Sequence, residues 1–240
     1  MNIAIISGAS RGIGRAIAAE IDRENLDQLW FISRSYEDKG DFKTPVRPFS
    51  LDLSSPSFTD AIKSALTESG CKIKYLVCSA GVGYTGKLEE LTEEEIENTV
   101  ALNCTALSLL TKICIPYMEK GGKILEIASG AGFLPQPSFS VYAASKAYVI
   151  SLSRALRTEL KEREINVTAV CPGPVDTDFF KELDPPEYKK KYVISAEKVA
   201  KKAIKSVKKN KAVCSTSLSI KLVHFVSKLI PTSFILKFYK

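Results

Sequence analysis

Short apolar runs rich in β-branched residues alternate with longer helical stretches along almost the whole chain. Residues 2–7 (NIAIIS), 29–33 (LWFIS), 46–51 (VRPFSL), 73–79 (IKYLVCS), 123–129 (KILEIAS) and 165–171 (INVTAVC) read as strands. Their centres are nearly continuously apolar, the pattern of parallel strands covered on both faces. The intervening segments carry helix starts. Ser55 and Pro56 offer an N-cap with proline at the first helical position, and Thr92 with Glu95 forms a capping box before a pattern over 96–119. Ser195 precedes a helix over 196–207. Repeated β-α units with right-handed crossovers lead to an α/β fold: one three-layer α/β/α domain around a doubly wound parallel sheet.

The 240 residues suit one such domain, and no linker, repeat or low-complexity tract divides them. A hydrophobic content of 45% argues against disorder. The formal charge of +7 is unevenly placed: residues 181–240 hold 15 Lys and 4 acidic side chains, so residues 1–180 are mildly acidic. A basic end on an acidic body is no nucleic-acid surface, and no nucleic-acid partner is expected. Six cysteines lack C-x-x-C or other metal-ligand spacing and fall in apolar runs, so they read as buried thiols and no metal site is expected. The single histidine, His224, excludes a Ser-His-Asp hydrolase on any ordinary reading. The apolar start MNIAIIS breaks at Gly8, too short for a signal sequence, which points to a cytoplasmic protein.

The turn after the first strand, SGASRGIG at 7–14, spaces its glycines as G-x-x-x-G-x-G. Gly8, Gly12 and Gly14 let the backbone turn tightly, and the helix beyond them offers free N–H groups and a positive dipole end to a pyrophosphate. About 20 residues on, where a carboxylate would hold the ribose of NAD, the chain has Ser33 and Arg34. Arg34, with Arg11 inside the glycine turn, favours the extra phosphate of NADP(H).

Further on, Tyr142 and Lys146 are four apart, which on a helix places them on one face. Ser129 lies 13 residues before Tyr142, at the end of the fifth strand. With the glycine turn, this order and spacing resembles the short-chain dehydrogenase/reductase family, a group of Rossmann-fold oxidoreductases. The resemblance implies a catalytic set of Ser129, Tyr142 and Lys146, joined by Asn103 from the preceding long helix. It implies hydride transfer between the nicotinamide and a carbonyl or secondary alcohol, with Tyr142 exchanging a proton with the substrate oxygen and Asn103 holding a relay water. Lowering a tyrosine from about 10 to neutrality requires about 4 kcal/mol, so Lys146 is expected to act from a sheltered site.

The family pattern also implies cofactor contacts at Ser10, Ile13, Asp52 and Leu53, at Ser79, Ala80 and Gly81 (N-A-G in the family), and at Pro172, Gly173, Val175 and Thr177. Ser7 stands where the family usually has threonine. Phe179, Phe180, Leu183 and the segment 184–192 read as a substrate lid.

The resemblance weakens near residue 210, so the catalytic domain is drawn over 1–211 and a basic, apolar extension over 212–240, although 211–217 can still supply a last strand. Leu218, Leu222, Phe225, Val226 and Leu229 recur at helical spacing with Lys221 and Lys228 between them, and Pro231 breaks the pattern. Two uses stay open: packing on the body or a second subunit of a homo-oligomer (dimer or tetramer), or peripheral contact with an anionic membrane. Family members with such tails act on lipids, so the resemblance implies an apolar small-molecule carbonyl or alcohol: a ketone, a steroid-like compound or an acyl group. A dinucleotide-binding regulator without turnover is the rival reading; the presence of both Tyr142 and Lys146 speaks against it.

Overall fold

A computed structural model of the chain describes residues 1–37, 40–183 and 187–237, with the side chains of 188 and 189 excepted. Residues 184–186 of the expected lid, and 238–240 of the tail, lie outside the described residues. In chain order the elements are β1 (Asn2–Ser7), α1 (Gly12–Ile21), β2 (Gln28–Ser33), β3 (Val46–Ser50), α2 (Phe58–Ser69), β4 (Lys72–Cys78), α3 (Glu93–Val100), α4 (Leu107–Cys114) and β5 (Met118–Ile127). They continue as α5 (Ser140–Glu159), β6 (Asn166–Cys171), β7 (Val175–Asp176), α6 (Asp178–Glu182), α7 (Glu187–Lys190), β8 (Ile194–Ser195), α8 (Ala196–Lys208), β9 (Val213–Ser215), α9 (Leu218–Leu229) and α10 (Thr232–Leu236).

Seven strands form one sheet in the order β3-β2-β1-β4-β5-β6-β9, parallel at every pairing. The strand order reverses between β1 and β4, and ligands of such sheets bind in the crevice outside the carboxyl ends at that point. Side chains alternate along each strand, so one face of the sheet carries Ile3, Ile5, Trp30, Leu76 and Ile124 under α2, α4 and α5. The other carries Ala4, Ile6, Phe31, Val77 and Leu125 under α1 and α8. The expected three-layer doubly wound fold is the observed one.

Local signals set several boundaries. Thr92 Oγ1 accepts from the Glu95 N–H at 3.2 Å while Glu95 reaches back to the Thr92 N–H at 2.9 Å, closing the capping box. Ser195 caps α8 through the Lys198 N–H at 3.4 Å. Three expectations need correction. The helix expected at Ser55 and Pro56 begins at Phe58, because those residues form a preceding turn in which the Phe58 and Thr59 N–H groups bond the Ser55 and Pro56 carbonyls. The pattern over 96–119 is not one α-helix: Ala101–Ala106 is a π-helical turn, and Pro116 lies in a single 3₁₀ turn from which β5 already starts at Met118. The extension drawn from 212 loses its first residues to the sheet, because β9 pairs with β6; the tail begins with α9.

Candidate active site

The glycine turn closes on the loop after β4. A Cβ on Gly8 (φ +65°) would lie 2.8 Å from the Ala80 backbone nitrogen, and one on Gly14 would run into the Gly8 carbonyl, so neither position admits a side chain. Ser7 Oγ accepts from the Ser79 and Ala80 N–H groups at 3.0 and 3.2 Å. The hydroxyl at this position thus ties β1 to the loop after β4, and serine serves as well as threonine. Helix α1 starts at Gly12 with Arg11 as its N-cap; that side chain makes no capping bond, and no carboxylate lies in the first turn. Its N–H groups and dipole are left for an anion, which is what a dinucleotide pyrophosphate needs. Ser10 is half-buried in the turn, and Ile13 packs on the α1 side of the core.

At the end of β2, Ser33 is buried and its hydroxyl donates to the Ser35 carbonyl at 2.8 Å. Its donor is spent on the loop, and Arg34 is left exposed beside it. Asp52 accepts from the Ser54 N–H and hydroxyl at 2.9 and 2.6 Å. Those bonds, with the Arg34 charge nearby, hold its carboxyl below the ordinary value against a modest opposing effect of burial. Leu53 is buried next to it. Arg11 points the other way: its guanidinium pairs with Asp178 at 3.1 Å and Glu182 at 3.3 Å, both on α6. The two arginines expected to act together are therefore engaged with different elements.

The four expected catalytic residues are brought together. Tyr142 and Lys146 lie in successive turns of α5, both buried, with the ammonium 5.5 Å from the phenol ring centre. Ser129 lies two residues past the end of β5 and its side chain hydrogen-bonds Tyr142, while its oxygen also accepts from the Ala131 N–H at 3.1 Å. Lys146 Nζ donates to the Ile127 carbonyl at 2.9 Å. Burial raises Tyr142 to about 12, outweighing the Ser129 bond, and lowers Lys146 to about 8. In the protein alone desolvation is the larger effect on Tyr142 and the Ser129 bond opposes it only in part, so the phenol holds its proton.

Asn103 sits in the π-helical turn between α3 and α4, fully buried; such turns recur at functional sites because they break the regular helical ladder. Its amide donates to the Val82 carbonyl at 2.8 Å and to Ser145 Oγ at 3.0 Å, and its oxygen accepts from the Val82 N–H at 3.0 Å. Ser145 in turn donates to the Tyr142 carbonyl at 2.7 Å. The Asn103 side chain thus clamps the loop after β4 to α5. Gly81 passes under it: a Cβ there would lie 2.9 Å from Asn103 Oδ1 and 3.3 Å from Lys146 Nζ.

Several contacts have no signature in the sequence. Gly83 presses on Tyr142, since a Cβ there would lie 2.5 Å from its Cδ2. Phe139 stacks on Tyr142 with ring centres 4.3 Å apart, and Phe179 of the expected lid stands 5.7 Å away. Across the crevice the Pro172 carbonyl accepts from the Gly130 N–H at 2.8 Å. Val175 is buried in β7, and the Thr177 hydroxyl caps α6 through the Phe180 N–H at 3.4 Å. The methyl of Thr177 lies 3.3 Å from where a Gly12 Cβ would be, so this segment closes against the glycine turn. Gly173 faces Ile220 of α9, which therefore borders the site.

A family model described as "short chain dehydrogenase" matches residues 2–187. This chain belongs to the short-chain dehydrogenases. Among relatives of this dehydrogenase, the very-long-chain 3-oxoacyl-CoA reductase of Mus musculus is 33% identical over 218 residues, covering 85% of this chain and 68% of that protein. A solved short-chain dehydrogenase from Sphingobium yanoikuyae in complex with NADPH superposes with a TM-score of 0.78 at 25% identity, covering 100% of this chain and 97% of the other. A 4-hydroxyisoleucine dehydrogenase complexed with NADH shares the fold at a TM-score of 0.77 and 18% identity, covering 90% of this chain and 98% of the other. The dehydrogenase is thus an oxidoreductase built on this family's sheet.

Proposed function

We propose that this short-chain dehydrogenase uses NADP(H) to interconvert an apolar carbonyl compound and its secondary alcohol, with Ser129, Tyr142 and Lys146 as the catalytic residues. The observation that carries the reading is a buried tyrosine hydroxyl, bonded to Ser129 and backed by Lys146, at the carboxyl edge of the sheet beside a glycine cradle. When bound, the nicotinamide supplies or accepts the hydride. The chain's own residues handle the oxygen and its proton. Tyr142, raised to about 12, keeps its proton at any ordinary pH and is poised as the acid that protonates the forming alkoxide. Ser129 offers a second hydrogen bond to the same oxygen. Lys146 ties α5 to the end of β5, and the Asn103 clamp holds α5 and the loop after β4 in register beneath them. The direction that suits this protonation state is carbonyl reduction.

Arg34, exposed next to a carboxylate already satisfied by Ser54, supports NADP(H) over NAD(H). The mouse relative's name and the aromatic walls at Phe139 and Phe179 support an apolar, acyl-like carbonyl. The experiment is a screen of NADPH oxidation over apolar ketones, steroids and 3-oxoacyl thioesters, run beside Tyr142→Phe. Turnover by the native chain alone supports the reading. Tight NADPH binding without turnover of any carbonyl class would instead favour a regulatory dinucleotide-binding protein.

A further inference from the structure

Helix α9 has two unlike faces. Its inner face anchors it to the body: Ile220 covers Gly130 and Gly173, where added Cβ atoms would lie 2.5 and 3.0 Å from its side chain. His224 stacks on Phe133 with ring centres 4.2 Å apart and lies 3.4 Å from the Arg154 guanidinium. Its outer face carries Leu218, Leu222, Phe225 and Leu229, which are 83%, 62%, 61% and 65% exposed. At 3.6 residues per turn these four fall within an arc of about 60°. Lys221 and Lys228 are exposed along one border of that arc. An apolar stripe of this size, held open by a helix already fixed on its other side, marks an interaction surface.

We propose that the outer face of α9 docks this protein on an anionic lipid surface. Charge decides between the possible occupants. Residues 212–240 contain four lysines and neither aspartate nor glutamate. A second copy laid stripe to stripe would bring lysines together with no carboxylate of the tail to answer them, whereas anionic headgroups complement them. A polypeptide groove would be served by the leucines alone, but the bordering lysines suit a helix lying in the headgroup plane with its apolar stripe in the acyl boundary. The 12 residues of α9 are too few to span a bilayer, for which about 20 are needed. The segment 93–117 is long and apolar enough to cross one, but it forms the core with Ala106, Leu107, Leu110 and Cys114 buried.

Docking sets the catalytic crevice against the lipid, because the residues under Ile220 directly follow Ser129 and Pro172. An apolar carbonyl dissolved in the bilayer would then reach the site without crossing water; this last step rests on the proposed reductase activity, whereas docking does not.

The test is co-sedimentation of the full chain with phosphatidylcholine vesicles containing about one third phosphatidylglycerol, in low salt and in about 1 M salt. The expected result is binding to the anionic vesicles that salt weakens. A Leu222→Ser, Phe225→Ser, Leu229→Ser variant should partition about tenfold less well or worse, because it removes three apolar anchors. Lys221→Glu with Lys228→Glu, which leaves the apolar stripe intact, should lose the preference for anionic vesicles. NADPH affinity and circular dichroism report that both variants remain folded. The proposal is overturned if the native chain stays in the supernatant, if it binds neutral and anionic vesicles equally, or if the triple serine variant sediments like it. It is also overturned if light scattering shows a dimer that the serine variant dissolves while vesicles capture nothing. None of these readouts needs turnover, so loss of the reductase reading leaves the test intact.

Discussion

At Gly83 the fit of one missing carbon decides where the Tyr142 ring stands. The residue has an ordinary backbone conformation, so alanine is allowed there, but its Cβ would overlap the face of Tyr142. Gly83→Ala is expected to shift that ring and lower kcat about tenfold or more, since small misplacements of a reacting group are costly, while NADPH binding measured by fluorescence titration stays near native. Tyr142→Phe removes the acid itself and should cost about a hundredfold to ten-thousandfold in turnover, with cofactor affinity preserved. Arg34→Ala should weaken NADPH about ten- to a hundredfold, the worth of a charge-assisted bond, and leave NADH nearly unchanged; equal losses for both cofactors would remove Arg34 from the phosphate. Tyr142, Lys146 and Arg34 were legible because each belongs to a spacing set by backbone geometry: one helix turn, or one strand after a glycine turn. Gly83 and Phe139 were not, since their roles exist only once the loop after β4 and the start of α5 meet.

Between elements, the contact that stands out joins the glycine turn to α6. Arg11 pairs with Asp178 and Glu182 across exposed surface, and α6 also carries Phe179, which approaches Tyr142. The glycine spacing placed Arg11 in the turn after β1 but could not show that α6 pairs with it, because the partners are 167 and 171 residues away in sequence. The same blindness applies to the 96–119 pattern, where apolar spacing looks alike in an α-helix and in one with a π turn. If Arg11 serves the cofactor phosphate, binding must first release it from α6. Exposed pairs are worth under about 1 kcal/mol, so Asp178→Asn with Glu182→Gln should tighten NADPH by no more than about fivefold. The gain should disappear at high salt and be absent for NADH. Isothermal titration at two ionic strengths checks this; a gain that ignores salt would point to movement of α6 rather than release of Arg11.

For the molecule as a whole, one buried carboxyl governs how stability responds to pH. Glu126 lies next to the last residue of β5, fully buried, bonded by the Ser153 hydroxyl and by Thr111 Oγ1 at 3.3 Å. Burial pushes its pKa up to about 7, against which those two hydrogen bonds act only in part. In the unfolded chain the same group titrates near 4.5. Between these values the folded state keeps a proton that the unfolded state has released. Its contribution is therefore fully present below about pH 4.5, declines as pH rises toward 7 and is then lost, a change of about 3 kcal/mol. His224, held low chiefly by burial and also by the Lys228 and Arg154 charges, works in the opposite sense over part of this range, since its unfolded form binds the extra proton. Asp22 and Asp52, both lowered, lose their contributions only at more acid pH. Comparison with Glu126→Gln cancels these other groups. Urea unfolding from pH 4.5 to 8 should show the native chain losing stability relative to the glutamine variant as pH rises, with the difference levelling off above 7. A constant difference across that range would mean that Glu126 is ionised in the folded core throughout, and that Ser153 and Thr111 outweigh its burial.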